Sequence, residues 1–154
     1  MSSPFIETSH SDVELNHAPI ERSWIIEGNP VARNALVSKS ADGAATTIVW
    51  DCSRGKFHWY YDVDETIYIL EGSIVLKSDT MKPTRYSAGD VVFFKRGAHA
   101  EWQVDSYVRK LAFCRRTQPK ALVFGLRVAS KLKRIVLSYL PGSRQHSAAG
   151  AFFQ

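Results

Sequence analysis

The feature that most constrains this chain is a run of short β-type segments between Arg22 and Arg116 with no helical period among them. The segments SWII, NALVSKS, TTIVWDC, KFHWYYD, ETIYILEG, SIVLKSD, GDVVFFK, AEWQVD and YVRKLAFCRR are rich in β-branched and aromatic residues, several of them in alternation. Between them stand ADG, SRG, EGS, SDTMKP, SAGD and KRGA, which supply the glycine, proline and aspartate that turns require. About nine strands at this spacing predict an all-β antiparallel sandwich or barrel. No internal repeat is visible, and the chain is long enough for one domain with a real core.

The flanks read differently. Residues 1–21 are polar, lack periodicity and are expected to form a flexible N-terminal segment on the surface. After Pro119, Phe124, Val128, Leu132, Ile135 and Tyr139 recur at helical spacing, and Arg127, Lys131 and Arg134 follow on another face. The spacing predicts a basic amphipathic α-helix over 117–140, stopped by Pro141-Gly142 and followed by a flexible tail, 141–154. Charge is split the same way. Residues 1–114 carry 12 Lys+Arg against 15 Asp+Glu, a balance of −3, whereas residues 115–154 carry 8 Lys+Arg and no acid. The high isoelectric point thus belongs to the tail, and with no aromatic platform or DNA-reading motif beside it, it does not point to nucleic acid.

No basic start followed by an apolar run opens the sequence, and no stretch nears the ~20 apolar residues of a membrane span. Cys52 and Cys114 lie inside β segments, as buried thiols of a reducing compartment would, although a single disulfide stays open as an alternative. The expectation is a cytoplasmic protein.

Two pieces carry a resemblance. GKFHWYYDVDETIYILEG runs from Gly55 to Gly72, and GDVVFFKRGAHAEW follows from Gly89 to Trp102. Together they resemble the two motifs of the cupin superfamily. The phrasing VWDCSRGKFHWYYDVDETIYILEG is most similar to single-domain cupins related to (S)-ureidoglycine aminohydrolase. The resemblance covers roughly residues 22–116 and implies a jelly-roll sandwich, a homodimer paired through sheets, and a divalent ion such as Mn²⁺ that holds and polarises a ureido substrate. Of the four positions that bear metal ligands in the family, Glu65 is kept. The others fall on Trp59, Tyr61 and Ala100, with His99 one residue early. Trp has no lone pair to donate, Ala has no donor, and Tyr must lose a phenolic proton with an ordinary pKa of ~10. The reading is therefore a cupin-like site without a metal cofactor, with a Mn²⁺-type ion as the alternative.

Trp59 and Tyr61 share strand parity and should face inward, with Trp102 in phase with the Ala100 position. With Glu65, and with His99 if a bulge turned it inward, they make a candidate pocket of aromatic walls and one carboxylate. Aromatic faces suit a sugar or a cation, and the carboxylate suits hydroxyl, amine or ureido donors. Ordinary core packing explains the same aromatics equally well. Buried Glu65 needs a partner, and Tyr61, Trp59, His99, Arg109 and Lys110 are the candidates. His58, opposite in parity to Trp59, should point outward. Three functions follow: a metal-independent module binding a small polar metabolite, sugar-like or nitrogen-rich; a metal-dependent aminohydrolase; and a non-catalytic interaction module. In the last, the C-terminal helix docks on the sheet or a second subunit, or else makes peripheral contact with acidic lipid.

Overall fold

The structure is a computed structural model and describes residues 5–117. Eight strands follow one another: β1 (Asn16–His17), β2 (Ile25–Glu27), β3 (Ala32–Lys39), β4 (Ala45–Tyr60), β5 (Asp64–Ser78), β6 (Met81–Ser87), β7 (Val91–Phe94) and β8 (His99–Arg115). A single 3₁₀ turn, Arg22–Trp24, precedes β2. All pairing is antiparallel, in the order β1-β3-β4-β8-β5-β6, with β2 added to β4 and β7 to β5. The all-β expectation holds for the described residues. The expected C-terminal helix and tail lie outside them. No helix among the described residues is long and apolar enough to cross a membrane.

The strand count differs from the sequence pattern for a physical reason. Two segments expected as turns, SRG and EGS, and the Asp105-Ser106 pair are irregularities within long strands. SRG lies inside β4, EGS inside β5, and Asp105-Ser106 inside β8, with register shifts between Ser53 and Gly55 and again between Gly72 and Val75. Extra residues at these points bend and twist a strand without ending it. The three long strands pair with one another along most of their length, with β8 between β4 and β5.

At the shift between Ser53 and Gly55, where Arg54 of β4 faces both Asp105 and Ser106 of β8, the phase of β4 changes. Up to Cys52 the inward residues are even (Ile48, Trp50, Cys52); from Gly55 they are odd (Phe57, Trp59, Tyr61). β8 keeps even residues inward throughout, from Ala100, Trp102 and Val104 to Val108, Lys110 and Ala112. The core is completed by Ile67, Ile69, Ile74 and Leu76 of β5 and by Phe94 of β7.

The lead-in segment is tied down from Ser11 onward. The Arg109 guanidinium donates to the carbonyls of Ser11 and Val13 at 2.8–3.1 Å, Asn16–His17 pairs with β3, and Ile20 is buried in the core. An apolar anchor and a bidentate cation thus hold residues that the polar composition suggested would lie loosely.

Gly72 is the tightest point of the fold. Its φ is +75°, and a Cβ there would lie 2.0 Å from the Tyr107 carbonyl oxygen of β8. Gly89 has a similar φ of +97° but open space around it. Gly89→Ala is expected to cost about 1–2 kcal/mol from the left-handed backbone alone. Gly72→Ala should cost more than ~3 kcal/mol, because backbone of the central strand must also move. Paired urea melts check this, and equal losses would contradict the close approach.

Candidate functional site

The inward faces of β4, β5 and β8 converge on one buried ion pair. Glu65 opens β5 and Lys110 lies in the middle of β8. They are 8% and 4% exposed, and Lys110 Nζ donates to Glu65 Oε1 at 2.7 Å. Register explains how they meet. Glu65 is opposite Cys114, and Lys110 is opposite both Ile69 and Trp50. The inward residue of β8 between Lys110 and Cys114 is Ala112, small enough to let the lysine stem reach along the strand. Of the five partners the sequence offered for Glu65, the structure selects Lys110.

Aromatic rings enclose the ammonium. Nζ lies 4.9 Å from the ring centroids of both Trp50 and Trp102. Such placement over indole faces stabilises a cation, more so where water is excluded. The rings are fixed in turn. Trp50 meets Trp102 and Trp59 edge-on, with centroids 5.9 and 6.0 Å apart. The Trp102 indole N–H donates to the Tyr61 hydroxyl at 3.1 Å, and Tyr61 stacks on Phe94 at 4.2 Å.

Beside the pair is a partly open cavity of about 290 Å³. Trp50, Trp59, Ile48 and Ala112 supply its apolar wall, and Glu65, Lys110, Asn34 and Cys114 its polar groups. Ala18 and Pro19 of the anchored lead-in close one side. The size is at the small end of ligand pockets, which run from ~300 to 1,000 Å³.

Four of the five residues expected at the site come together: Trp59 and Glu65 line the cavity, and Tyr61 and Trp102 support it from the buried side. His99 does not join them. The register from Gly55–Val104 to Tyr60–His99 is unbroken, so His99 points to the opposite face from Trp102. There it stacks on Tyr60, with centroids 4.5 Å apart, and its Nε2 is 3.0 Å from Nδ1 of His58. His58 faces outward, as its parity predicts.

Trp50, Asn34 and Cys114 were missed. Alternation around Trp50 is hidden because Val49, Trp50, Asp51 and Cys52 are all buried. A second buried carboxylate, Asp51, belongs to the other face, where it accepts from Arg33 Nε at 3.0 Å and the Tyr107 hydroxyl at 2.9 Å. Its lone pairs are satisfied by a structural network away from the cavity.

The donor set does not fit a divalent ion. Glu65 is already engaged by an ammonium, Trp59 and Ala100 offer no lone pair, and the Tyr61 hydroxyl accepts from Trp102. Burial, and next the charge of Glu65, push the Tyr61 phenol well above its ordinary pKa. Among the described residues no group of three or more His, Cys, Asp or Glu side chains is arranged to hold a metal ion.

A sheet of this order, built on three long antiparallel strands, is the architecture of an all-β sandwich. The comparisons specify the class. A family model described as the EutQ-like cupin domain matches residues 39–112, the segment from the end of β3 into β8, so this part of the β body is similar to the cupin superfamily. Among solved structures it is similar to a Pseudomonas syringae pv. tomato protein of unknown function in the DUF861 family (23% identity over 68% of this chain and 46% of that one, TM-score 0.63). It is similar also to the Clostridium difficile EutQ protein (16% identity, 58% and 65% covered, TM-score 0.50) and to the polyketide cyclase RemF from Streptomyces resistomycificus (20% identity, 75% and 82% covered, TM-score 0.54). At these identities the likeness is one of fold. The chain spans less than half the length of the Pseudomonas protein. No protein of curated function matches the sequence.

Both cysteines are free. Burial, and then the Glu65 carboxylate, raise the Cys114 thiol from 9.0 to about 11. Burial, and then Asp51, raise Cys52 to about 12. Folding thus favours the protonated thiols. That contribution is complete below pH 9, where unfolded thiols are also protonated, and is lost as pH rises through the folded-state values. The melting temperature should therefore fall above pH 9, and less steeply in Cys114→Ala. Identical alkaline slopes in variant and parent would show that the Cys114 thiol is not buried beside Glu65.

Proposed function

We propose that the protein binds a small polar metabolite in the cavity beside Glu65 and Lys110, without a metal ion. The observation that carries this reading is the placement of the pair: its charges are compensated internally, yet both side chains line a partly open cavity together with Trp59. A ligand would rest an apolar or planar face on Trp59 and Ile48. Its polar edge would meet an ammonium donor and a carboxylate acceptor set side by side, with the Asn34 amide adding one of each. A sugar ring has this make-up, and so does a planar nitrogen-rich compound with an amide or ureido edge. The fold does not fix the function, so the proposal rests on the site.

The resemblance to the ureidoglycine aminohydrolase cupins favours the nitrogen-rich class of ligand. It does not extend to the family's metal-dependent chemistry, because the donor set here lacks the ligands that such chemistry requires.

Thermal-shift and NMR titrations with monosaccharides and with small alkylureas, in the presence of EDTA, test the proposal. A saturable rise in melting temperature that survives EDTA is expected for one of the two classes. Trp59→Ala should weaken that binding about tenfold, the loss of roughly 1.4 kcal/mol of stacking. Binding that disappears with EDTA would contradict the reading, as would binding indifferent to Trp59.

A further inference from the structure

We propose that the Lys110 ammonium is a built-in counter-cation for Glu65, filling the electrostatic role that a divalent ion has at the motif glutamate of metal-binding cupins. The proposal concerns the same site but stands whether or not the cavity takes up a small molecule.

Three observations converge on it. First, a carboxylate 8% exposed among tryptophans requires a cation, and the one cation within ion-pair distance of it among the described residues is Lys110. Second, the ammonium is held as a ligand would be. It meets a carboxylate at 2.7 Å and two indole faces at 4.9 Å each, and the side chain is almost wholly withdrawn from water. Third, residues at the other motif positions serve this arrangement. The Tyr61 hydroxyl anchors the Trp102 indole that faces Nζ, and Trp59 meets Trp50, the second indole over Nζ, edge-on. Ala100, opposite Trp59 across the β4–β8 ladder, adds no donor.

Charge decides between the two cations. Lys110 and Glu65 sum to zero, so the ammonium leaves the buried site neutral. A divalent ion added to the occupied site would sit beside the ammonium at close range in a medium of low dielectric, where like charges repel strongly. It could bind only by driving Lys110 out of its contacts with Trp50 and Trp102, and it would then find a single carboxylate as ligand. Lys110 therefore acts as a positioning residue that fixes the Glu65 carboxylate and excludes metal.

Removal of the lysine stem tests this directly. Lys110→Ala leaves a carboxylate, two indole faces and a space shaped for an alkylammonium ion. Its melting temperature should fall by about 10–20 °C, the consequence of a buried charge left without its partner. Ethylammonium or propylammonium chloride should restore part of the loss, and sodium chloride at equal ionic strength should not. Lys110→Ala combined with Glu65→Gln should show no amine-dependent recovery. Rescue by sodium as effective as by alkylammonium, or rescue by Mn²⁺ instead, would overturn the proposal.

If the variant does not fold, the parent protein still decides the matter. Of its nine lysines, one should give a side-chain ammonium signal in ¹H–¹⁵N spectra at neutral pH that exchanges slowly and is displaced by ring currents. Glu65→Gln should move or abolish that signal. Nine equivalent, rapidly exchanging ammonium groups would refute the caged cation.

Discussion

The hydrogen-bonded pair of Lys110 and Glu65 is the constraint around which the interior of this fold is arranged. Neither charge is tolerable alone at that depth, and loss of one partner of such a pair costs ~3–5 kcal/mol. The pair is oriented by what surrounds it. Trp50 and Trp102 place their faces against the ammonium, Tyr61 holds Trp102 by a hydrogen bond, and Phe94 stacks on Tyr61. One ion pair thus sets the positions of aromatic side chains on β4, β7 and β8, and of the loop tyrosine that follows β4. Replacing it with apolar residues of equal volume need not lower stability, but it would remove the only charged donor and acceptor that line this cavity among the described residues.

Strand phase delivers those side chains to one place. β4 turns even residues inward before the register shift and odd residues after it, so Trp50 and Trp59 face the same interior although nine residues apart. Without the slip between Ser53 and Gly55, one of the two tryptophans would face outward. β8 keeps a single phase and presents Trp102 and Lys110 on the same side. Its small Ala112 leaves the lysine a path to Glu65. The cavity is what remains beside this packing, and the anchored lead-in, through Ala18 and Pro19, forms its rim.

Much of this was legible in the amino-acid pattern, and the boundary is physical. Alternation in KFHWYYD put Trp59 and Tyr61 inward and His58 outward, and the same rule put Trp102 inside. Alternation failed where it was interrupted. SRG and EGS have turn composition but lie inside strands, because long strands on both sides hold the chain extended. Trp50 was hidden for another reason, because Val49 to Cys52 are buried on both faces of the strand. His99 needed a bulge to turn inward, and the ladder shows none there. The choice of Lys110 over Arg109 for Glu65 depends on pairing between strands 45 residues apart, which local pattern does not encode. Arg109, one residue away and of opposite parity, is spent on the carbonyls of the lead-in instead.

The central claim is that an ammonium and not a metal ion compensates Glu65. Elemental mass spectrometry on untagged protein, purified without chelators, tests it most directly. The account predicts divalent metal far below one ion per chain, unchanged when the cells are grown with added manganese, iron, nickel or zinc. Near-stoichiometric metal that is lost on Glu65→Gln would contradict it, and would mean that Lys110 leaves the carboxylate free in the working protein.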